Sequence, residues 1–319
     1  MILTVTLNAA IDKTHLLPGF RTACVNRPQE IVAMAGGKGI NVARVLRALG
    51  EPVSCTGVVA GHTGMRIEAC LATEGIASTF HRLPHGESRV CLAVIDPSCG
   101  APTEINEPGA AMDAADFAAF RTLYTLLLND CRWVALSGSL PPGLGPDSYA
   151  ALMRLARAAG KPVSLDTGGH VLSALLAEAP DVIKPNQAEA EQVLGVRLGL
   201  DNLSEAVAAL LARGARTVAL SLGAEGAVFA DRDEAWVMAA PSVSAVNPIG
   251  SGDSFLAAFL AARLHGRSLL EAGRRAVAAG AANAAVLGAA ACSAAEIEAL
   301  LPQVRPRPLA EAVDALSSA

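Results

Sequence analysis

An α/β fold, a parallel sheet flanked by helices on both faces, is predicted by three features of the sequence. Short apolar runs of strand length alternate with helical segments through the second half of the chain, the pattern that right-handed crossovers turn into a parallel sheet. Those runs (Val134 to Leu136, Val163 to Leu165, Val182-Ile183, Thr217 to Ser221) are brief and mostly apolar, as strands covered on both faces are. Glycine-rich turns also open directly into helices at Gly36-Gly37-Lys38-Gly39 and at Gly250-Ser251-Gly252, and sheets of this kind bind ligands at such turns along their C-terminal edge.

The elements follow in order. Met1 to Leu7 is β-branched and apolar and predicts the first strand. Ile40 to Leu49 has helical periodicity and ends at Gly50, Val53 to Ala60 reads as a strand, and Gly64 to Thr73 as a helix. Arg89 to Asp96 alternates Val90, Leu92 and Val94 with Arg89, Cys91 and Ala93, which predicts a half-exposed strand. Helices at Asp147 to Ala159, Val171 to Ala179, Ala188 to Leu194 and Leu203 to Arg213 separate the later strands. Strands at Ala227 to Ala230 and Ala235 to Ala239 precede a loop and two or three helices that reach about Leu300. The segments 13–31 and 89–105 fit the main sheet less well. Two readings stay open for them: a small accessory sheet that lids the site and offers a face to a homodimer, or ordinary edge strands. One domain is expected over 1–301, followed by a Pro-rich, then Ala-rich tail, 302–319, of unknown role.

Of the 319 residues 52% are hydrophobic and 17% charged, which supports a large core and excludes general disorder. Aromatic residues are only 3%, so the core is aliphatic and Ala-rich. A formal net charge of −5 gives no footprint for nucleic acid or an anionic membrane, and a small molecule is the expected partner. Seven cysteines at irregular spacing form no C-x-x-C pair, so reduced thiols in a cytoplasmic protein are expected. The apolar stretch from Ala276 to Cys292 contains Asn283 and follows Arg274-Arg275, and predicts a packed interior helix rather than a membrane span.

The most informative stretch is Asn247-Pro248-Ile249-Gly250-Ser251-Gly252-Asp253. Backbone N–H groups at the start of a helix converge on an anion there, and glycine lets a phosphate approach the backbone. Asp253 would repel a bare phosphate, unless it takes a proton beside one; the plainer alternative is a helix cap. The second stretch is Gly36-Gly37-Lys38-Gly39-Ile40-Asn41. Lys38 supplies a point charge for a phosphate and Asn41 both donates to and accepts from sugar hydroxyls; the alternative is a loop with a solvated lysine. No Walker loop, G-x-S-x-G elbow or H-E-x-x-H is present.

Taken together, these motifs resemble the two signatures of the PfkB (ribokinase-like) carbohydrate kinases, in the branch that holds 1-phosphofructokinase and tagatose-6-phosphate kinase. Thr4-Val5-Thr6-Leu7-Asn8, Ser137-Gly138-Ser139-Leu140-Pro141-Pro142-Gly143, Lys184-Pro185-Asn186-Gln187-Ala188-Glu189 and Ser221-Leu222-Gly223-Ala224-Glu225-Gly226 add to the likeness in family order. The resemblance implies a ribokinase-like fold with a small β-sheet lid, and ATP-dependent phosphorylation of a ketohexose monophosphate, tagatose 6-phosphate or fructose 1-phosphate. It implies Asp253 as the base, with Gly250, Ser251 and Gly252 as the anion hole. Asp12, Gly37 and Asn41 match positions that hold sugar hydroxyls, and Lys38, Arg89, Ser139 and Arg27 match positions near the phosphate already on the substrate. Asn186 and Glu189 match an N-x-x-E pair that organises Mg²⁺ largely through water, and Ser221, Gly223 and Asn283 match nucleotide contacts.

Three departures stand out. Asn8-Ala9-Ala10-Ile11-Asp12 replaces N-P-[AS]-[IVY]-D, Asp166-Thr167-Gly168-Gly169 replaces D-[ST]-S-G, and Glu104 lies where some relatives carry a base. Two other functions are weighed: a kinase of an unphosphorylated sugar or nucleoside, and a silent nucleotide-binding regulator. Lys38 and Arg89 speak against the first, since a neutral sugar needs no cations. The intact Asp253, Asn186 and Glu189 speak against the second.

Overall fold

The structure, a computed structural model, describes residues 1–99, 101–199 and 201–311. The first strand, β1 (Ile2–Thr6), is fully buried, and the chain then leaves the main sheet for β2 (Ala10–Leu16) and β3 (Glu30–Gly36). It returns through α1 (Lys38–Ala48), β4 (Val53–Ala60), α2 (Gly61–Thr73) and β5 (Ala77–Leu83), and departs again for β6 (Arg89–Ile95) and β7 (Thr103–Asn106). After α3 (Ala114–Leu127) the alternation is regular: β8 (Trp133–Ser137), α4 (Pro146–Ala158), β9 (Val163–Asp166), α5 (Gly169–Leu175), β10 (Val182–Ile183), α6 (Gln187–Leu194), α7 (Leu203–Ala212) and β11 (Val218–Ser221). The remainder is β12 (Ala227–Ala230), β13 (Ala235–Ala239), α8 (Ser251–Leu264), α9 (Leu269–Ala284), α10 (Ala294–Leu300) and β14 (Arg305–Pro308).

The main sheet has ten strands in the order β14-β13-β12-β11-β10-β9-β8-β1-β4-β5. From β5 to β11 all neighbours run parallel, and β12, β13 and β14 close the edge antiparallel. Strand alternation divides the core in two. Ile2 of β1 packs with α1, α2, α8 and α9, while Leu3 and Val5 pack with α3, α4 and α5 on the other face. The chain builds outward from β1 in both directions, to β4 and to β8, so the sheet's switch point lies between β1 and β8.

Of the two readings open for the segments flanking the site, the accessory sheet is the one observed: four strands in the order β3-β2-β6-β7. Its register sets its two faces. Asp12 pairs with Cys91, Cys91 with Asn106, and Thr14 with Ala93, and this set lines the cleft. The other face carries Ile31 and Ile105, 57% and 59% exposed.

Four elements differ from expectation. The stretch 276–292 is helical only to Ala284, and the rest is a turn that packs behind Gly250. α3 and β5 lack a sequence signal because they bury little: Phe120 and Tyr124 in α3, Phe80 and Leu83 in β5. The domain also runs past 301, since β14 pairs with β13. Pro306 and Pro308 have no N–H to give, and a strand with that defect is tolerated only at an edge. The rest of the expected tail, 312–319, lies outside the described residues. All seven cysteines are unpaired thiols, and among the described residues no helix is long and apolar enough to cross a membrane.

Candidate active site

A cleft of about 850 Å³ opens at the C-terminal edge of the sheet, between the N-termini of α1 and α8 and the inner face of the lid. Two glycines shape it. Gly250 caps α8 at φ 83°, and a Cβ there would fall 2.4 Å from the backbone nitrogen of Ala290. A Cβ on Gly36 would fall 2.0 Å from Oδ2 of Asp12. Glycine is thus required at both positions by close approach.

At the lid end, burial raises the Asp12 carboxyl above its ordinary range, opposed by the Gly37 N–H and by the charges of Arg44 and Arg89. Arg89 lines the cleft and donates through Nε to the carbonyl of Asn8 at 3.2 Å. Asn8 in turn donates to Ser139 Oγ at 3.3 Å, and Ser139 itself is exposed and not in the cleft lining. Glu104 faces the cleft.

At the centre is an acid–base cluster. Asp253, in the first turn of α8, is buried, and its Oδ2 accepts from Asn41 Nδ2 at 2.8 Å. Burial, and then the negative charge of Asp166, push its carboxyl up to about 6, with Lys38, Asn41 and Lys184 pulling it down. Asp166, at the end of β9, is paired with Lys38 at 2.8 Å and Lys184 at 3.2 Å. Burial alone would raise its carboxyl, but the two ammonium groups hold it below the usual range. For Lys38, burial works against the charge and is outweighed by Asp166, Glu189 and Asp253, which hold the ammonium well above the ordinary lysine range. Lys184 is only 4% exposed, and a Cβ on Gly252 would lie 3.2 Å from its Nζ, so the ammonium abuts the anion turn.

Lys184 has a role-bearing position that the sequence motif alone did not assign. The available signal is a lysine directly following the buried strand Val182-Ile183, at the sheet edge where ligands bind. Lys38, expected beside Arg89, has its ammonium instead with Asp166 and, at 3.7 Å, with Glu189.

Towards the far end the cleft is lined by Asn186, Ser221 and Gly223, and Asn186 bridges to Ser221 in parallel register. Asn186 and Glu189 form a capping box on α6: Asn186 Oδ1 accepts the Glu189 N–H and Glu189 Oε2 accepts the Asn186 N–H, both at 2.9 Å. Besides Ser139, three expected residues are absent from the cleft lining: Glu189, Arg27 and Asn283. Arg27 sits on the exposed connection between β2 and β3. Asn283 is fully buried, and its amide is spent on the turn: Nδ2 donates to Ile249 O and Ser251 Oγ, and Oδ1 accepts from Ala291 N–H. It braces the glycine turn from behind.

The family model for pfkB family carbohydrate kinases matches residues 4–296. The chain belongs to the pfkB family of carbohydrate kinases. Among its relatives, a 1-phosphofructokinase of Rhodobacter capsulatus is 40% identical over 279 residues, 87% of this chain and 88% of the relative. The structure of phosphofructokinase-2 from Escherichia coli, in complex with substrates and products, superposes with a TM-score of 0.86 at 28% identity, covering 95% of this chain and 98% of that one. A Thermotoga maritima protein described as a possible 1-phosphofructokinase gives 0.89 at 26% identity, covering 97% and 99%. The cleft therefore belongs to a pfkB-family architecture over nearly its whole length.

Proposed function

We propose that this pfkB-family chain transfers the γ-phosphoryl group of ATP to the primary hydroxyl of a ketohexose monophosphate, with fructose 1-phosphate as the substrate. The observation that carries the reading is Asp253: a buried carboxylate, its affinity for protons raised to about 6, on the glycine turn that opens α8 and beside two lysines. A carboxylate tuned close to neutral accepts a proton in the transition state and is still ionised at pH 7. The choice of fructose 1-phosphate rests on the name of the 40% identical relative.

In this reading Asp12, Asn41 and the Gly37 backbone hold the sugar hydroxyls, and Asp253 takes the proton of the attacking one. The N–H groups of Gly250, Ser251 and Gly252 receive the charge on the transferring phosphoryl. Lys184 and Lys38, held by Asp166, neutralise the same group, which moves Lys38 from the substrate phosphate to the transfer end. Arg89 has five N–H groups, uses one on Asn8 and another at 3.5 Å on Glu107 O, and offers the rest to the phosphate the sugar already carries. Ser221 and Gly223 contact the nucleotide, and the lid excludes water as a competing acceptor.

Asn186 and Glu189 present hard oxygen donors, but their capping box occupies part of them, and the described residues contain no cluster of three or more His, Cys, Asp or Glu fit for a metal. That donor set fits Mg²⁺ held through its own waters and the nucleotide phosphates, not a protein cage. Bound there, the ion supplies charge compensation for the phosphates. The outer lid face with Ile31 and Ile105 is assigned to a homodimer contact, and the working location is the cytoplasm.

ADP release tests the reading. The wild-type protein turns over a ketohexose monophosphate in preference to the free ketohexose. Arg89→Ala raises KM for the sugar phosphate by about 10–150-fold, the worth of a charged hydrogen bond of roughly 1.5–3 kcal/mol, and leaves KM for ATP unchanged. A wild type that prefers the free sugar, or an Arg89→Ala variant whose loss falls on ATP, removes the sugar-phosphate assignment.

A further inference from the structure

Arg44 lies one helical turn beyond Asn41 on α1, and its side chain is 11% exposed. Its guanidinium grips Glu74, at the end of α2, through Nε at 2.6 Å and Nη2 at 3.2 Å. Nη1 donates to Asn41 Oδ1 at 2.9 Å and to Ala289 O at 3.4 Å, while Nη2 also donates to Ala35 O. These partners matter for where they sit. Ala35 precedes the glycine that makes room for Asp12, Ala289 and Ala290 cup Gly250, and Asn41 donates to Asp253.

An amide has one donor end and one acceptor end, and Asn41 uses both: its oxygen faces a cation and its nitrogen faces a carboxylate. Reversed, the amide would set oxygen against the oxygen of Asp253 and NH₂ against the guanidinium, so both contacts would turn repulsive. We propose that Arg44 is a positioning residue for phosphoryl transfer, orienting the Asn41 amide to donate to Asp253 and tying the Ala35 and Ala289 backbones on either side of that base. A lysine cannot replace it, because one ammonium lacks the planar fork that reaches Glu74, Asn41 and two carbonyls together. The inference rests on the assignment of Asp253 as the base.

The test is steady-state kinetics of Arg44→Ala and Arg44→Lys against wild type, with thermal unfolding of each. Both variants lose kcat by about 10–100-fold, the usual effect of a lost supporting contact or a misplaced catalytic group, and keep KM for ATP. The acid limb of the kcat profile moves to higher pH, because ionised Asp253 loses a donor while Lys38, Lys184 and Asp166, which also face it, are unchanged. Added guanidinium ion restores part of the kcat of Arg44→Ala without raising its unfolding temperature. In an Asp253→Asn background Arg44→Ala costs little more. A kcat within twofold of wild type, an unmoved acid limb, or a loss as large in the Asp253→Asn background as in wild type overturns the proposal. Full turnover by Asp253→Asn alone instead overturns the base assignment, so the two failures are distinct. If Arg44→Ala does not fold, Arg44→Lys carries the comparison.

Discussion

Asp253→Asn lowers kcat by about 10²–10⁴-fold, the usual worth of a positioned general base, with KM for ATP near its wild-type value. In wild type the base acts when ionised, so kcat/KM, whose profile reports groups of the free protein, rises as pH increases through about 6 and is level above it. The Asn variant has no such limb. The same substitution makes the protein more stable at neutral pH. The folded state raises the carboxyl from 3.8 to about 6, chiefly by burial, so the ionised form is disfavoured by folding. That cost is absent below the unfolded value of 3.8, grows between the two values, and is complete above about 6. Removing the charge relieves on the order of 3 kcal/mol at pH 7.5 and nothing near pH 3.5. The loss of activity with a gain in stability separates a catalytic carboxylate from a helix cap, whose removal costs stability. An Asp253→Asn protein that is less stable than wild type at pH 7.5 and turns over normally identifies Asp253 as a cap.

The second large effect is at Asp166. Asp166→Ala leaves Lys184, 4% exposed, without its counter-charge, and breaking a buried ion pair from one side costs about 3–5 kcal/mol. Two cations hold the folded carboxyl of Asp166 below its unfolded value. Its contribution is therefore present above about 3.8 and is lost as pH falls through the depressed folded value. Urea unfolding at pH 7.5 measures the loss. Adding Lys184→Met to Asp166→Ala recovers part of the stability, since the unpaired buried ammonium of Lys184 is removed while Lys38 still lacks Asp166, and activity stays low because the lysine at the glycine turn is gone. Single-variant stability within 1 kcal/mol of wild type would show that the cluster is solvated and the pairing minor.

What could be read from the residues followed the range of the physics involved. β4 and β12 have the limits expected from their apolar runs, because a strand buried on both faces announces itself locally. That Gly250 to Asp253 and Asn41 line one cleft was legible for the same reason: each lies within a few residues of a glycine turn. The Lys38–Asp166–Lys184 cluster was not, since its members come from α1 and the ends of β9 and β10, and only the strand order makes them neighbours. Asn283 shows the converse. Its position matched a family pattern, yet the direction of its amide, set by the packing of α9 on the turn, spends it on structure. Arg44 also fell outside the motif reading, because its partners Glu74 and Ala289 are 30 and 245 residues away.

In the proposed reaction a phosphoryl group moves from ATP to the primary hydroxyl of a ketohexose phosphate. The ³¹P NMR spectrum of the protein with ATP, Mg²⁺ and fructose 1-phosphate tests it most directly. A new phosphomonoester resonance, split to a triplet by the protons of the CH₂ it joins, grows in step with ADP and grows about 10²–10⁴-fold more slowly with Asp253→Asn. Inorganic phosphate growing in its place, with fructose 1-phosphate unchanged, would make water the acceptor and contradict the account.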